Sequence, residues 1–271
     1  MPELPEVETT RLGLLPYVRG RQILKVMVRD RRLRWPVPVD FAMRLKGCTV
    51  QEVSRRGKYL LWDCGAGHIL SHLGMSGSLR LVSAIERAQK HDHVDIVLNT
   101  GIAIRYTDPR RFGAMLWIPG RDIVHPLLDR LGPEPLAPEF NAAYLAKAAR
   151  GRSVSIKEFV MNSRIVVGVG NIYASESLFV AGIHPKRAAG KVSPVRLERL
   201  VAAIKQTLAK AITAGGSSLR DYVQANGELG YFQVNAFVYE RERQPCRICR
   251  TPIRAIRQGQ RSTYFCPACQ T

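Results

Sequence analysis

The chain has 271 residues and carries 41 lysines and arginines against 22 aspartates and glutamates, a formal charge of +19. That length suits two domains with room for a small third, and 46% hydrophobic residues are enough for a true core. The positive excess asks for a polyanionic partner, nucleic acid first, and no apolar run reaches the roughly 18 residues of a membrane-spanning helix, so no segment is expected to span a membrane.

The opening, Met1 to Glu8, departs from the overall charge: it holds three glutamates and no basic residue. Removal of Met1 would expose Pro2 as a secondary amine. An α-amino group titrates near ~8 against ~10.4 for lysine, so a fraction of it is a neutral nucleophile able to form Schiff bases. Glu3 stands beside it as a proton donor and acceptor. The same residues also read as an ordinary helix start, with Pro5 at the first position and Glu6 and Glu8 in the first turn. That helix is expected from Pro5 to about Val18. Strand-like segments follow at 23–28, 48–53, 59–63, 69–73, 78–82, 94–98, 102–106 and 114–118, with turns at 65–67 and 99–101. Many short strands at close spacing predict an antiparallel β-sandwich.

Composition shifts at Gly132-Pro133-Glu134-Pro135, which marks a linker. Beyond it the apolar spacing becomes helical, with short helices at 141–149 and 155–161. A longer helix follows Ser193-Pro194, and its stripe of Leu197, Leu200, Val201, Ile204, Leu208 and Ala211 belongs to a core. Gly215-Gly216 ends it, and the polar, glycine-bearing stretch 217–231 reads as a mobile loop.

Cys246-x2-Cys249 and Cys266-x2-Cys269, separated by sixteen residues, form the most specific local signal. Four thiolates at that spacing make a closed tetrahedral site for one structural Zn²⁺. Arg250, Arg254, Arg257 and Arg261 lie between the pairs, so a zinc-ribbon hairpin with a phosphate-contacting tip is expected; for any one arginine a solvated surface is the alternative. Cys48 and Cys64 stand alone, which suits a reducing cytosol better than a disulfide framework.

The other motifs are weaker alone. Gly168-Val169-Gly170 runs into a helix near Asn171, whose exposed N–H groups would attract phosphate, although a plain turn explains it too. Lys58 follows Arg55-Arg56-Gly57 at a strand entrance, where a phosphate contact competes with catalysis. Met75 sits in a glycine-flanked turn, and Arg110, Arg111 and Phe112 in another. An arginine, an aromatic ring and a methionine on loops suit a wedge into a base stack, though Met75 and Phe112 as unrelated residues would be core. His91 and His93 flank Asp92 in a basic loop, where phosphate contact or filling of structure outweighs metal binding.

Taken in order, Pro2 to Glu8, Lys58, the 72–78 turn, 108–113, 167–177 and the four-cysteine ribbon resemble the formamidopyrimidine-DNA glycosylases, bacterial 8-oxoguanine repair enzymes, along the whole chain. The resemblance implies an α+β protein: an N-terminal antiparallel β-sandwich with a leading helix at 1–133, a helix–two-turn–helix domain with a lid loop at 134–236, and a zinc finger at 237–271. It implies a bifunctional glycosylase and abasic-site lyase for oxidised purines, with Pro2 as nucleophile, Glu3 as proton donor, Lys58 as donor for β-elimination and Arg261 for δ-elimination. His91, Arg110 and Arg152 would contact DNA beside Asn171, Met75 and Phe112. Arg152 stands where relatives often carry lysine, which keeps the charge but not the point-donor geometry. The expected partner is damaged double-stranded DNA and the expected setting a bacterial cytoplasm, with nucleoid association, as a monomer without an organic cofactor. The opening Glu-Leu-Pro-Glu favours oxidised purines over the oxidised pyrimidines of endonuclease VIII relatives. A zinc-ribbon nucleic-acid-binding protein without catalysis is the reading from charge and cysteine alone.

Overall fold

The computed structural model describes residues 2–216 and 236–271. The loop expected at 217–231, and its role as a lid, lie outside the described residues. The chain divides into two compact units, the first holding residues up to Asp129 together with Gly215 and Gly216, the second holding Arg130–Ala214 and the described residues from Ala236 onward.

In the first unit, α1 (Leu4–Val18) begins with a proline in its first turn, and Glu6 reaches back to accept the Glu3 N–H at 2.8 Å. This satisfies a donor that the helix start would otherwise leave orphaned. Val7, Leu14 and Val18 of α1 are buried in the main core. Eight strands make two antiparallel sheets of four. One is ordered β1 (Ile23–Val28), β6 (Asp92–Leu98), β7 (Ile102–Thr107), β5 (Ser78–Ser83); the other is β2 (Glu52–Arg56), β3 (Tyr59–Asp63), β4 (Gly67–His72), β8 (Ala114–Pro119). The sandwich is thus present as expected. Its core includes Ile23, Val53, Leu60, Trp62, Ile69, Leu79, Val94, Ile104 and Met115. The Trp62 indole, buried in that core, donates to Ser71 Oγ at 3.1 Å, so its polar edge is satisfied.

One expectation needs correction. The strand placed at 48–53 lies at Glu52–Arg56. Residues 47–50 instead exchange backbone bonds with 20–23, and the β3 ladder starts only at Glu52↔Asp63. The apolar signal of Cys48 and Val50 came from a crossing segment, while the polar run Ser54-Arg55-Arg56 is a strand because β3 pairs with it. An element not foreseen from the sequence is α2 (Phe41–Leu45), a five-residue helix too short to show periodicity, whose Phe41 and Leu45 are buried.

In the second unit, α3 (Ala142–Ala149) and α4 (Ile156–Met161) start from Asn141 and Ser155, whose side chains cap Tyr144 N–H and Glu158 N–H. The helix α5 (Asn171–Val180) is buried nearly all round, packed by α4, α6 (Pro194–Thr213) and β10 (Arg261–Phe265). The predicted stripe of α6 is buried throughout. β9 (Arg254–Gln258) pairs with β10 through a two-residue turn in which Gly259 and Gln260 both have positive φ, 50° and 63°, the geometry of a primed hairpin turn. Among the described residues no helix is long and apolar enough to cross a membrane.

Candidate active site

The helix start and the β2–β3 turn form the first cluster. Pro2 and Glu3 are buried just ahead of α1, and Glu6 is fully buried. Gly216 packs on this end of the helix: a Cβ there would lie 3.3 Å from Glu6 Oε1. One turn further along α1, Glu8 accepts from two guanidinium groups, Arg11 Nη2 at 2.7 Å and Arg55 Nε at 2.9 Å. Burial alone would raise the Glu8 carboxyl; the hydrogen bonds from Arg11 and Arg55 outweigh it, and the group titrates below its ordinary value. Arg55 Nη1 also donates to Gly57 O at 3.0 Å, and Gly57 with φ of 57° is the first residue of the two-residue turn that carries Lys58.

The second cluster is built on Asp108. Its Oδ1 accepts from Ser76 Oγ at 2.9 Å, and its Oδ2 accepts from Gly113 N at 2.9 Å and Tyr106 Oη at 3.2 Å. Ser76 Oγ in turn accepts from Arg110 N at 3.2 Å. One buried carboxylate therefore locks the Met75 turn to the 108–113 loop. The two backbones meet so closely that a Cβ on Gly74 would come within 2.5 Å of Gly113 N, and one on Gly113 within 1.8 Å of the Tyr106 hydroxyl, so only glycine fits either place. Phe112 is 42% exposed with the Arg110 guanidinium 5.0 Å from its ring centroid. Met75 is half-buried, which sets these residues apart from ordinary core. His91 lies in the adjoining loop, its carbonyl accepting from Asp108 N at 3.1 Å. His93 is buried with Nε2 2.8 Å from Asp108 O, so it fills structure.

His72, named in the sequence only as part of a turn, faces Tyr59 across the β3–β4 ladder, ring centroids 4.8 Å apart. Its Nδ1 accepts from Gly74 N at 3.0 Å, which fixes a neutral ring with the proton on Nε2. Burial, with Lys58 and Arg34 nearby, holds its pKa down to about 4.

The second unit, taken by itself, holds a cluster of its own. Lys157 of α4 is buried, and its Nζ donates to Asn171 Oδ1 and Thr263 Oγ1, each at 2.6 Å, and to Ser262 O at 3.3 Å. Asn171 Nδ2 donates to the same carbonyl at 3.0 Å. The start of α5 is thereby tied to β10, whose first residue is the exposed Arg261. Sequence reasoning missed Lys157, which lies eleven residues before the glycine-rich motif at Gly168 and carries no local signal of its partners. Arg152 is exposed in a turn after α3, its backbone N–H donating to Ala149 O at 3.0 Å and its carbonyl accepting from Gly190 N at 2.9 Å. The Glu176 carboxylate accepts from Phe237, Val238 and Tyr239 N–H at 2.7, 3.0 and 2.9 Å. Burial raises its pKa and those three bonds oppose the shift.

The sulfur atoms of Cys246, Cys249, Cys266 and Cys269 all lie within 4.8 Å of one another, with separations of 3.4 Å for Cys249–Cys266 and 3.9 Å for Cys246–Cys269. Zn–S bonds of about 2.3 Å in a tetrahedron require S–S edges of about 3.8 Å, so the four thiols form a site for one such ion. All four positions are protein ligands, which makes the site structural.

Three family models match the chain in order: the formamidopyrimidine-DNA glycosylase N-terminal domain at residues 1–115, its H2TH domain at 131–223, and the zinc finger found in FPG and IleRS at 243–271. Proteins named formamidopyrimidine-DNA glycosylase from Paraburkholderia phytofirmans and Thiobacillus denitrificans are 56% and 57% identical to it, each aligned over the full length of both chains. Among solved structures, the Lactococcus lactis Fpg bound to abasic-site DNA superposes with a TM-score of 0.92 at 34% identity, covering 99% of each chain. The Thermus thermophilus protein superposes with a TM-score of 0.89 at 38% identity, covering 99% of this chain and 98% of its own.

Proposed function

The chain belongs to the formamidopyrimidine-DNA glycosylase family, and from that premise we propose that it excises oxidised purines from duplex DNA and then cleaves the abasic strand, using Pro2 as nucleophile. It is a DNA glycosylase of base excision repair. The observation that carries the mechanism is the helix start: Pro2, a secondary amine once Met1 is removed, is followed by a buried carboxylate, Glu3, whose own N–H is held by Glu6.

A base inside a duplex is out of reach of any side chain, so the nucleotide must be extruded, at a cost of a few kcal/mol. Met75, Arg110 and Phe112 fill the gap left behind, on loops that Asp108 makes rigid. His91, Arg152 and the start of α5 at Asn171 hold phosphates. The Pro2 nitrogen attacks C1′ of the extruded sugar, Glu3 protonates the ring oxygen, and the base departs. The Schiff base of a secondary amine is permanently cationic. It draws electrons from the C1′–C2′ bond region, so the C2′ proton is lost and the 3′ phosphate leaves, with Lys58 as the donor for this β-elimination. Arg261 serves the second, δ-elimination at the 5′ side. The zinc ion would be held by the four cysteines and shape the ribbon that presents Arg261. The chain is further taken to act as a monomer, in three parts at 1–133, 134–236 and 237–271, in a bacterial cytoplasm and on its nucleoid.

Borohydride is expected to trap a covalent adduct with 8-oxoguanine duplex, and extension of the N-terminus beyond Pro2 to abolish both trapping and nicking, because an amide nitrogen is not nucleophilic. An extended protein that still traps and cleaves would overturn the role of Pro2. Glu3→Gln should lower nicking well below wild type; nicking at background in both forms would mark a protein that binds without catalysis. Excision of 8-oxoguanine opposite cytosine should exceed that of thymine glycol, and the reverse order would identify an enzyme for oxidised pyrimidines.

A further inference from the structure

The double ion pair at Glu8 is more than a helix needs to stay attached. One guanidinium neutralises one carboxylate; here two crowd it, with side chains of Glu8, Arg55 and Arg11 only 15%, 12% and 19% exposed. The extra cation adds like-charge repulsion in a partly desolvated place, so stability alone does not account for it. What distinguishes Arg55 is where its remaining hydrogens go. Arg11 spends its spare donor on Val53 O in the middle of β2, at 3.2 Å, and so fixes the helix to the strand. Arg55 spends its own on Gly57 O at 3.0 Å.

That carbonyl belongs to the peptide bond joining Gly57 to Lys58. The peptide unit is planar, so holding its oxygen fixes the orientation of the plane from which the Lys58 Cα departs. The turn has only two residues between the paired Arg56 and Tyr59, leaving little other freedom. An unbroken path therefore runs from the start of α1, through Glu8 and Arg55, to the backbone of Lys58.

We propose that Glu8 and Arg55 are positioning residues that set the Lys58 turn in register with the Pro2 end of α1, so that the lysine meets the sugar the proline has captured. The inference rests on the roles of Pro2 and Lys58 given above. Attack by Pro2 depends on the helix start, whereas elimination depends on the offset between helix and turn. Loss of the clamp should thus separate the two steps.

The test uses the full-length protein on a preformed abasic duplex under single-turnover conditions, measuring borohydride-trappable adduct and strand cleavage in parallel. A displacement near 1 Å costs catalysis up to about a hundredfold, so Glu8→Gln and Arg55→Lys should each lower the ratio of cleavage to trapping by about tenfold, with trapping itself little changed. The double variant should be no worse than the more affected single one, because both break the same path. Arg55→Lys keeps the charge but cannot hold Glu8 and Gly57 O together, and it decides the matter if Glu8→Gln does not fold. Arg11→Gln loses a bond to the same carboxylate but none to the turn, and should keep the wild-type ratio even with a lower melting temperature. An unchanged ratio in the clamp variants overturns the proposal, as does an equal fall in Arg11→Gln. Lys58→Ala is run alongside. If it lowers the ratio and the clamp variants do not, only the clamp fails; if it leaves the ratio unchanged, the role of Lys58 fails and the clamp with it.

Discussion

Single buried polar groups set the geometry of this molecule. Asp108 receives three hydrogen bonds through its carboxylate and, with its backbone carbonyl and the Ser76 relay to Arg110 N–H, fixes two loops against one another. Asp108→Ala would leave Ser76 Oγ and Gly113 N without this acceptor, while Tyr106 Oη would keep His72 O, and an unsatisfied buried group costs roughly 1–3 kcal/mol each. Denaturant unfolding should show a loss of several kcal/mol, with weaker binding to an abasic-site duplex. His72 gives a prediction in pH. Its native pKa lies near 4, below the ordinary 6.5. Under about pH 6.5 the unfolded chain takes up a proton that the native ring refuses, so stability falls as pH drops from about 6.5 towards 4 and is flat above that window. His72→Gln should reduce this slope in thermal melts across pH 4.5–7, by up to about one proton's worth. An unaltered slope would show that His72 does not drive it.

At the level of elements, the informative joints are between segments far apart in sequence. Lys157 on α4 is 14 residues from Asn171 and 106 from Thr263, yet it bonds to each. It joins the α5 start to the ribbon strand that begins at Arg261. Lys157→Met preserves the stem volume but removes the donors, and losing a hydrogen bond to a charged group costs about 1.5–3 kcal/mol. The expected result is a less stable second unit and reduced affinity for a duplex phosphate backbone, with the first unit unaffected. The same joint explains why an ordinary glycine-rich turn at 168–170 becomes a phosphate-site candidate: its helix start is held to a basic hairpin by a cation. Glu176 does comparable work for residues 237–239, gathering three consecutive backbone N–H groups that no strand pairs.

For the whole molecule, the charge of +19 and the ribbon make two predictions. Removing an arginine that contacts phosphate should flatten the dependence of log affinity on log salt by about one unit. Chelating zinc, or Cys249→Ser, should weaken DNA binding while the circular dichroism and melting of the β-sandwich persist, since the four thiols belong to the second unit and the sandwich to the first. Loss of the sandwich on chelation would contradict that independence. The sequence alone determined what is written locally: the proline–glutamate opening, the helix starts at Asn141, Ser155 and Ser193-Pro194, the apolar stripe of α6, most strands, and the cysteine spacing. It misplaced β2 and missed α2 because the hydrophobic pattern of a short segment reports burial without saying which neighbour buries it. Only the tertiary structure decided that Glu8 would meet Arg55, 47 residues away, that Asp108 would join two loops, and that Lys157 would reach the ribbon. Local periodicity follows from backbone geometry, whereas partners for buried charges follow from how sheets and helices pack, and a chain read in order carries no record of that.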